Sequence, residues 1–187
     1  MKYKHHEIKI IPDEYAESPR EWDNLGTIYT VKLRSWRIGE KHSLEVHEIK
    51  EIEASSKYIY KNVYKYEHSD ISLSTEPYSC PWDSGKIGII AVSKEKIRKL
   101  YNCKRISQKT IDTALEALTQ EIKDYSTYLN GEVVGYQIYK SDSTELIDSC
   151  YGYYSEDDAV QDAKHIIDDY FKTTVVQLPL PLIFKEA

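Results

Sequence analysis

Cysteine and long apolar runs are scarce in this 187-residue chain, and each shortage excludes a class of protein. The three cysteines, Cys80, Cys103 and Cys150, form an odd set without CxxC spacing, which favours reduced thiols over a disulfide framework. The longest apolar runs are far too short to cross a bilayer. The N-terminal Met-Lys-Tyr-Lys-His-His lacks the apolar core of a signal peptide. We therefore expect a cytosolic protein without a membrane partner.

Sequence motifs of the common nucleotide and hydrolase sites are also missing. The chain contains no GxxxxGK[ST], no GxGxxG and no GxSxG, so nucleotide-binding and hydrolase functions lose their usual support. Its six histidines do not repeat a known ligand spacing such as HExxH. We expect neither a metal nor another cofactor.

Positive charge is in deficit as well. The formal net charge is −6 and the pI is about 5.6. Phosphate binding needs clustered lysine and arginine, so this balance argues against a broad basic face for nucleic acid. Local basic patches remain compatible with it.

Enough apolar residues are present for a core without metal or disulfide support, since they make up 41% of the chain. We expect a single domain spanning residues 1–187. Apolar spacing predicts strands at 7–11, 26–34, 58–67, 71–75, 86–92, 132–140 and 146–153, and helices at 43–54, at 94–100, after Ser107 to Leu129 and after Ser155 to Phe171. This order, without regular βαβ alternation, predicts an α+β fold with a mainly antiparallel sheet covered by helices on one face.

Tyrosine is the dominant aromatic residue, with 17 tyrosines against 2 phenylalanines. Tyr58, Tyr60, Tyr64 and Tyr66 share one parity, which places them on one face of a predicted strand. An amphipathic sheet face is the favoured interpretation because tyrosine is a strong strand former. The alternative is a contact surface, since tyrosine combines an apolar body with a polar tip.

Residues 66–85 concentrate hydroxyls, a histidine, a thiol, carboxylates and an indole in one stretch. We predict a site there. His68 follows a strand and lies between Glu67 and Asp70, so a carboxylate-held imidazole could act as a general base, with Ser69, Ser72 or Ser74 as nucleophile or substrate contact. The alternative, favoured without a second feature, is a turn whose polar groups satisfy the backbone.

Two Trp-Asp turns are candidate contacts for a partner. Trp82 and Asp83 lie in the segment Cys80-Pro-Trp-Asp-Ser-Gly85, where an exposed indole would be costly unless it stacks on core aromatics or on a base. Trp22, Asp23 and Asn24 repeat this chemistry, and the two turns could meet in space. Tyr66 belongs to the same predicted contact set.

A third candidate follows the second predicted strand. Arg34 and Arg37 flank Trp36, and cations around an aromatic side chain suit single-stranded nucleic acid. A solvated strand end explains these residues equally well.

Five segments resemble a family of small proteins carried by phages and integrative elements of Firmicutes and other bacteria: WDNLGT at 22–27, EHSDISLST at 67–75, CPWDSG at 80–85, GEV at 131–133 and DSCYG at 148–152. The family pattern runs Asp-His-Ser-Gly and Cys-Trp-Gly, so Glu67, Asp70 and Tyr151 depart from it. The chain is also similar in length and in its Tyr- and Lys-rich character to a streptococcal type II-A anti-CRISPR protein associated with shortening of guide RNA.

The resemblance implies a mobile-element anti-defence protein in the host bacterial cytosol, an anti-CRISPR inhibitor of a type II RNA-guided nuclease. Its partners would be the effector nuclease, the guide RNA or both. In a metal-independent ribonuclease version, His68 is the general base toward a ribose hydroxyl, Arg34 or Arg37 holds the phosphate and Trp82 stacks a base. The alternatives are a non-catalytic binding module and a phage regulatory protein, and the sequence leaves homo-oligomerisation open.

Overall fold

The computed structural model describes residues 1–31, 38–40, 44–68 and 70–176, with the side chains of 171–176 excepted. Contacts divide the chain into two compact units, one of residues 1–14 with 133–176 and one of residues 15–132. The prediction of a single domain over residues 1–187 stays a prediction. In the described ranges the chain forms four α-helices and two antiparallel four-stranded sheets, so the predicted α+β class is confirmed.

The elements follow in chain order. The strands are β1 (Lys2–Tyr3), β2 (His6–Pro12), β3 (Thr27–Thr30), β4 (Tyr58–Glu67), β5 (Ile71–Ser74), β6 (Ser84–Ser93), β7 (Val134–Lys140) and β8 (Leu146–Tyr153), and the helices are α1 (Val46–Ala54), α2 (Lys94–Leu100), α3 (Gln108–Leu129) and α4 (Glu156–Val176). Strand β1 and a 3₁₀ turn at Pro19–Glu21 were not predicted. Within the described part of the chain, no helix combines the length and apolar character that crossing a membrane requires.

The first unit is a sheet in the order β1-β2-β7-β8 with α4 packed on it. Ala159, Ala163 and Ile167 recur every four residues of α4, so they form one stripe. That stripe packs against Ile8 of β2 and Ile138 of β7. Among the described residues of this unit, helix α4 thus supplies the apolar cover of the sheet.

The second unit is a sheet in the order β3-β6-β4-β5. Residues 87–92 of the central strand β6 are all buried, because helices pack on both of its faces. Leu118 and Ile122 of α3 join the cluster that contains Ile90, while Ile49 of α1 packs with Ile89. Helix α1 therefore adds cover on the face opposite α3.

Strand β4 presents its tyrosines on the α1 face of this sheet. Ile59 and Val63, of the other parity, lie in the α3 cluster, and Tyr58 packs with the α1 cluster. A bulge falls between Val63 and Tyr64, but its extra residue, Ile87, is on β6, so the alternation along β4 is kept. The predicted four-tyrosine face is therefore confirmed.

Candidate functional site

Residues 66–85 form one end of the second sheet. The chain leaves β4 at Glu67, resumes as β5 at Ile71, and returns through a loop at 75–83 to β6. Ser69 lies outside the described residues. The amide of Glu67 donates a hydrogen bond to the carbonyl oxygen of Asp83 at 2.9 Å, which joins the hairpin turn to the end of the loop. The structure therefore brings together side chains that are 15 residues apart in sequence, such as His68 and Asp83.

The imidazole of His68 is paired with Asp83. Their Nδ1 and Oδ2 atoms are 4.0 Å apart, and the His68 side chain is 75% exposed. The neighbouring Asp70 makes a backbone contact instead, since its carbonyl oxygen accepts from the His68 amide at 3.4 Å. Glu67 pairs with Lys65. The acid facing His68 thus comes from the loop, which sequence proximity did not predict.

Trp82 projects from this loop with 91% of its surface exposed. The loop around it is held by short-range bonds: the Cys80 thiol donates to Asp83 Oδ2 at 3.5 Å, and the Ser84 hydroxyl donates to the Cys80 carbonyl oxygen. At this exposure the indole is not packed on core aromatics of the described residues, and stacking on a base stays a prediction. It is a large apolar side chain on a fixed support.

Tyr66 and Tyr78 support the loop from the sheet side. Their ring centroids are 5.5 Å apart with a tilt of 38°, and burial raises the pKa of the Tyr78 phenol. We call Tyr66, His68, Tyr78, Trp82 and Asp83 the aromatic edge. Its members come from a strand end, a hairpin turn and a loop, all at the β4-β5 end of the sheet.

The other two predicted serines, Ser72 and Ser74, belong to β5, beside this edge. Ser72 lies opposite Tyr66 and Ser74 opposite Tyr64 in the strand register. The hydroxyl of Ser74 accepts from the Glu76 amide at 2.9 Å and so shapes the following turn. Both serines are half-buried on the strand, so neither is presented as freely as His68.

The turn of Trp22, Asp23 and Asn24 lies at the other end of the sheet. It leads into β3, whose Thr27 pairs with Ala91 near the end of β6, whereas the aromatic edge adjoins Ser84 at its start. Seven residues of strand separate these positions by about 20 Å. The two Trp-Asp turns therefore do not meet.

Asn24 stabilises its own turn. Its amide nitrogen donates to the carbonyl oxygens of Pro19 at 2.8 Å and Trp22 at 2.9 Å. Its carbonyl oxygen accepts from Lys96 Nζ at 2.6 Å, which attaches the turn to α2. Asn24 is accordingly used within the fold, while Trp22 and Asp23 are exposed.

A buried ion network that the sequence did not predict supports this turn. The Arg20 side chain is only 6% exposed and pairs with Glu40 and with Glu121, the latter at 2.9 Å. Glu121 also accepts from the Leu25 amide at 2.6 Å, and Arg20 donates to the Gly26 carbonyl oxygen at 2.8 Å. Such a network is strongly destabilised when one partner is removed.

The third candidate, Arg34, Trp36 and Arg37, falls at residues 32–37, outside the described residues. Across the ranges that are described, no group of three or more His, Cys, Asp or Glu side chains could hold a metal ion.

The charge of residues 66–85 limits their chemistry. This stretch contains Glu67, Asp70, Glu76 and Asp83 and no lysine or arginine. A phosphodiester needs cations beside it, because its charge is otherwise repelled by carboxylates. Lys65 and Lys86 flank this stretch but are paired with Glu67 and Glu53, so the aromatic edge itself is suited to a basic surface.

A basic segment was overlooked in the sequence. Residues 94–109 contain seven lysines and arginines and one acid, namely Lys94, Glu95, Lys96, Arg98, Lys99, Lys104, Arg105 and Lys109. A count of charges over a short window, instead of over the whole chain, would have found this segment. The segment lies at the Trp22 end of the sheet, through the Lys96 contact described above.

Comparison of the chain with protein-family models, with curated proteins and with solved structures gave no match.

Proposed function

We propose that the protein is an anti-defence protein that inhibits a type II RNA-guided nuclease by placing its aromatic edge on the basic nucleic-acid surface of that nuclease. The observation that carries the proposal is Trp82, a 91% exposed indole on a loop fixed by local hydrogen bonds, beside the Asp83 carboxylate.

An exposed aromatic on a rigid support suits a binding contact. Tryptophan and tyrosine are enriched among the few residues that dominate the energy of protein interfaces. A loop already held in place by Cys80, Asp83 and Ser84 loses little conformational entropy when it is bound. The aromatic edge thus combines apolar area with preorganisation.

The carboxylates set the sign of the partner surface. Asp83 belongs to the aromatic edge, and Glu67, Asp70 and Glu76 lie near it in sequence. All four are exposed, and Glu67 and Glu76 are paired with Lys65 and Lys61. Acidic side chains can imitate phosphates toward lysines and arginines, which speeds association and favours a basic partner. The nucleic-acid channel of an RNA-guided nuclease is such a surface.

The class of partner comes from the resemblance to mobile-element proteins and to a streptococcal type II-A anti-CRISPR protein. Occlusion is preferred over cleavage of guide RNA because residues 66–85 contain no lysine or arginine, and the flanking Lys65 and Lys86 are already paired with Glu67 and Glu53. The specific observation that favours the catalytic version is the exposed His68 imidazole with the Asp83 carboxylate 4.0 Å away, because an imidazole beside a carboxylate can act as a general base.

The test is inhibition of target-DNA cleavage by a purified type II nuclease loaded with its guide. We expect Trp82→Ala to weaken inhibition at least about tenfold, as loss of an interface hot spot does. Tyr15→Ala is the matched control, because Tyr15 is an aromatic residue of the same unit and is 90% exposed. It should inhibit as the unchanged protein does, and both variants should keep the unfolding midpoint.

The guide RNA from the same reactions separates occlusion from cleavage. Occlusion predicts guide RNA of full length in every reaction, including the reaction with the unchanged protein. If the unchanged protein shortens the guide RNA and the His68→Ala variant leaves it at full length, the ribonuclease mechanism replaces occlusion. Failure of the unchanged protein to inhibit the nuclease or to co-elute with it would contradict the proposed function. A phage regulatory protein would then be the remaining alternative.

A further inference from the structure

The basic segment at residues 94–109 forms a turn that is anchored on its inner side. Ile97 of α2 is fully buried in the core under α3, and Ile106 packs on the same core. Between them the chain reverses: Asn102 adopts a left-handed conformation with φ of 45°, and the Cys103 amide donates to the Arg98 carbonyl oxygen at 3.0 Å. We call residues 94–109 the basic turn.

This reversal collects positive charge on the outer side. The hydrogen bond between Cys103 and Arg98 brings the end of α2 next to Lys104 and Arg105. Arg98, Lys104 and Arg105 are all exposed, as is Lys109 in the first turn of α3. The apolar anchors fix the backbone, so these cations are presented from a defined surface.

Most of this charge is not neutralised by ion pairs among the described residues. Lys99 pairs with Glu95 at 2.9 Å, and Lys96 donates to the Asn24 carbonyl oxygen. No ion pair to any described residue is formed by four further cations, Arg98, Lys104, Arg105 and Lys109. In a chain of net charge −6, four such cations in 12 residues form a local anion-binding surface.

Aromatic side chains accompany the cations. Tyr101 is part of the basic turn, and 44% of its surface is exposed. The Lys96 contact to Asn24 also brings the exposed Trp22 turn to α2. Unpaired bases stack on exposed aromatic rings while lysines and arginines track the phosphates, so this combination is typical of surfaces that bind single strands.

We propose that the basic turn is a binding site for single-stranded nucleic acid, separate from the aromatic edge. Arg98, Lys104, Arg105 and Lys109 contact the phosphates, and Tyr101 stacks on a base. The two sites lie at opposite ends of β6 and have opposite charge, so this inference does not depend on the proposed function. Exposed aromatic rings favour a single strand over a duplex, whose bases are already stacked.

Binding is measured with the full chain and a labelled oligouridylate of about 15 nucleotides, by fluorescence anisotropy over a salt series starting near 50 mM. Four phosphate contacts predict a slope of log affinity against log salt of about −3. Oligothymidylate of the same length, a duplex and anionic vesicles are tested in parallel. Both single strands should bind more tightly than the duplex and the vesicles.

Charge reversal locates the site. Arg98→Glu with Arg105→Glu should weaken binding at least about tenfold and reduce the magnitude of the salt slope by more than 1. Lys50→Glu with Lys123→Glu is the control, because it makes the same change in net charge at exposed positions on α1 and α3 outside the turn. The control should bind within about twofold of the unchanged protein.

Tyr101→Ala should lower the affinity for the single strands by about tenfold while leaving the salt slope unchanged, since stacking releases no counterions. Absence of binding at the lowest salt, an equal loss in the two charge-reversed proteins, or tighter binding to the duplex or to vesicles would each overturn the proposal. The aromatic edge is tested by nuclease inhibition and the basic turn by binding of single strands, so failure of one site is distinguishable from failure of the other.

Discussion

Side chains of this protein differ in whether they hold the fold or face solvent. Arg20 is 6% exposed and joins Glu40 and Glu121, whereas Trp82, an apolar ring, is 91% exposed. Tyr136 and Tyr153 are a second case of internal use, because both phenols donate to Asp162. The side chains that hold the fold, such as Arg20 and Tyr136, are therefore not the ones that the sequence singles out as candidate site residues.

The pair of phenols predicts a pH dependence of stability. Burial, assisted by the Asp162 carboxylate, raises the pKa of Tyr136 to about 12, and burial also raises the pKa of Tyr153. The unfolded chain loses these protons near its ordinary pKa of about 10, so between about pH 10 and 12 the folded state binds more protons. The stability that the phenols contribute is complete below about pH 10 and is lost as the pH rises through the folded pKa.

Tyr136→Phe should flatten this decline. We expect the free energy of unfolding, measured by urea titration from about pH 8 to 11.5, to fall less steeply in the variant, by up to about 1.4 kcal/mol per pH unit. Other phenols with a raised pKa, such as Tyr29 and Tyr125, contribute equally to both proteins. Equal slopes for the two proteins would show that Tyr136 ionises normally in the folded state.

Among the elements, β6 has the strictest requirement, because it is central in its sheet and covered by helices on both faces. Gly88, at the bulge of this strand, lies against the backbone of its neighbour β3. A Cβ atom there would be 2.0 Å from the backbone carbonyl oxygen of Tyr29 in β3. Only glycine permits this approach of the two backbones.

Gly88→Ala should therefore destabilise the protein by about 2 kcal/mol or more, since backbone atoms must shift to relieve the overlap. Gly85→Ala in the same strand is the control, because nothing lies within 4 Å of the added methyl group. Urea unfolding of the two variants measures the difference. A Gly88→Ala protein as stable as the control would contradict the described register of β3 on β6.

Helices and strands were largely predictable from the sequence because their patterns are local. The stripe of α3, its Ser107 cap and the alternation of β4 all depend on neighbouring residues. The division into two sheets was not predictable, since it depends on the pairing of β2 with the distant β7. The contact of Asp83 with His68 was missed for the same reason, as it requires the loop to return to the hairpin.

At the scale of the second unit, the surface has two ends with different chemistry. The aromatic edge and its carboxylates lie where β6 begins, and the basic turn lies where β6 ends. The sheet keeps these ends apart by its length. One end is thus suited to a basic protein surface and the other to a nucleic acid, the two kinds of component in a guide-loaded nuclease.

The central claim is that the aromatic edge is displayed for contact with a partner. Hydroxyl-radical footprinting of Trp82, with mass-spectrometric readout, tests it most directly on the free protein and on its complex with the guide-loaded nuclease. We predict rapid oxidation of Trp82 in the free protein, because the indole is 91% exposed, and protection of several-fold in the complex. Slow oxidation in the free protein, or the same rate in both samples, would contradict the account.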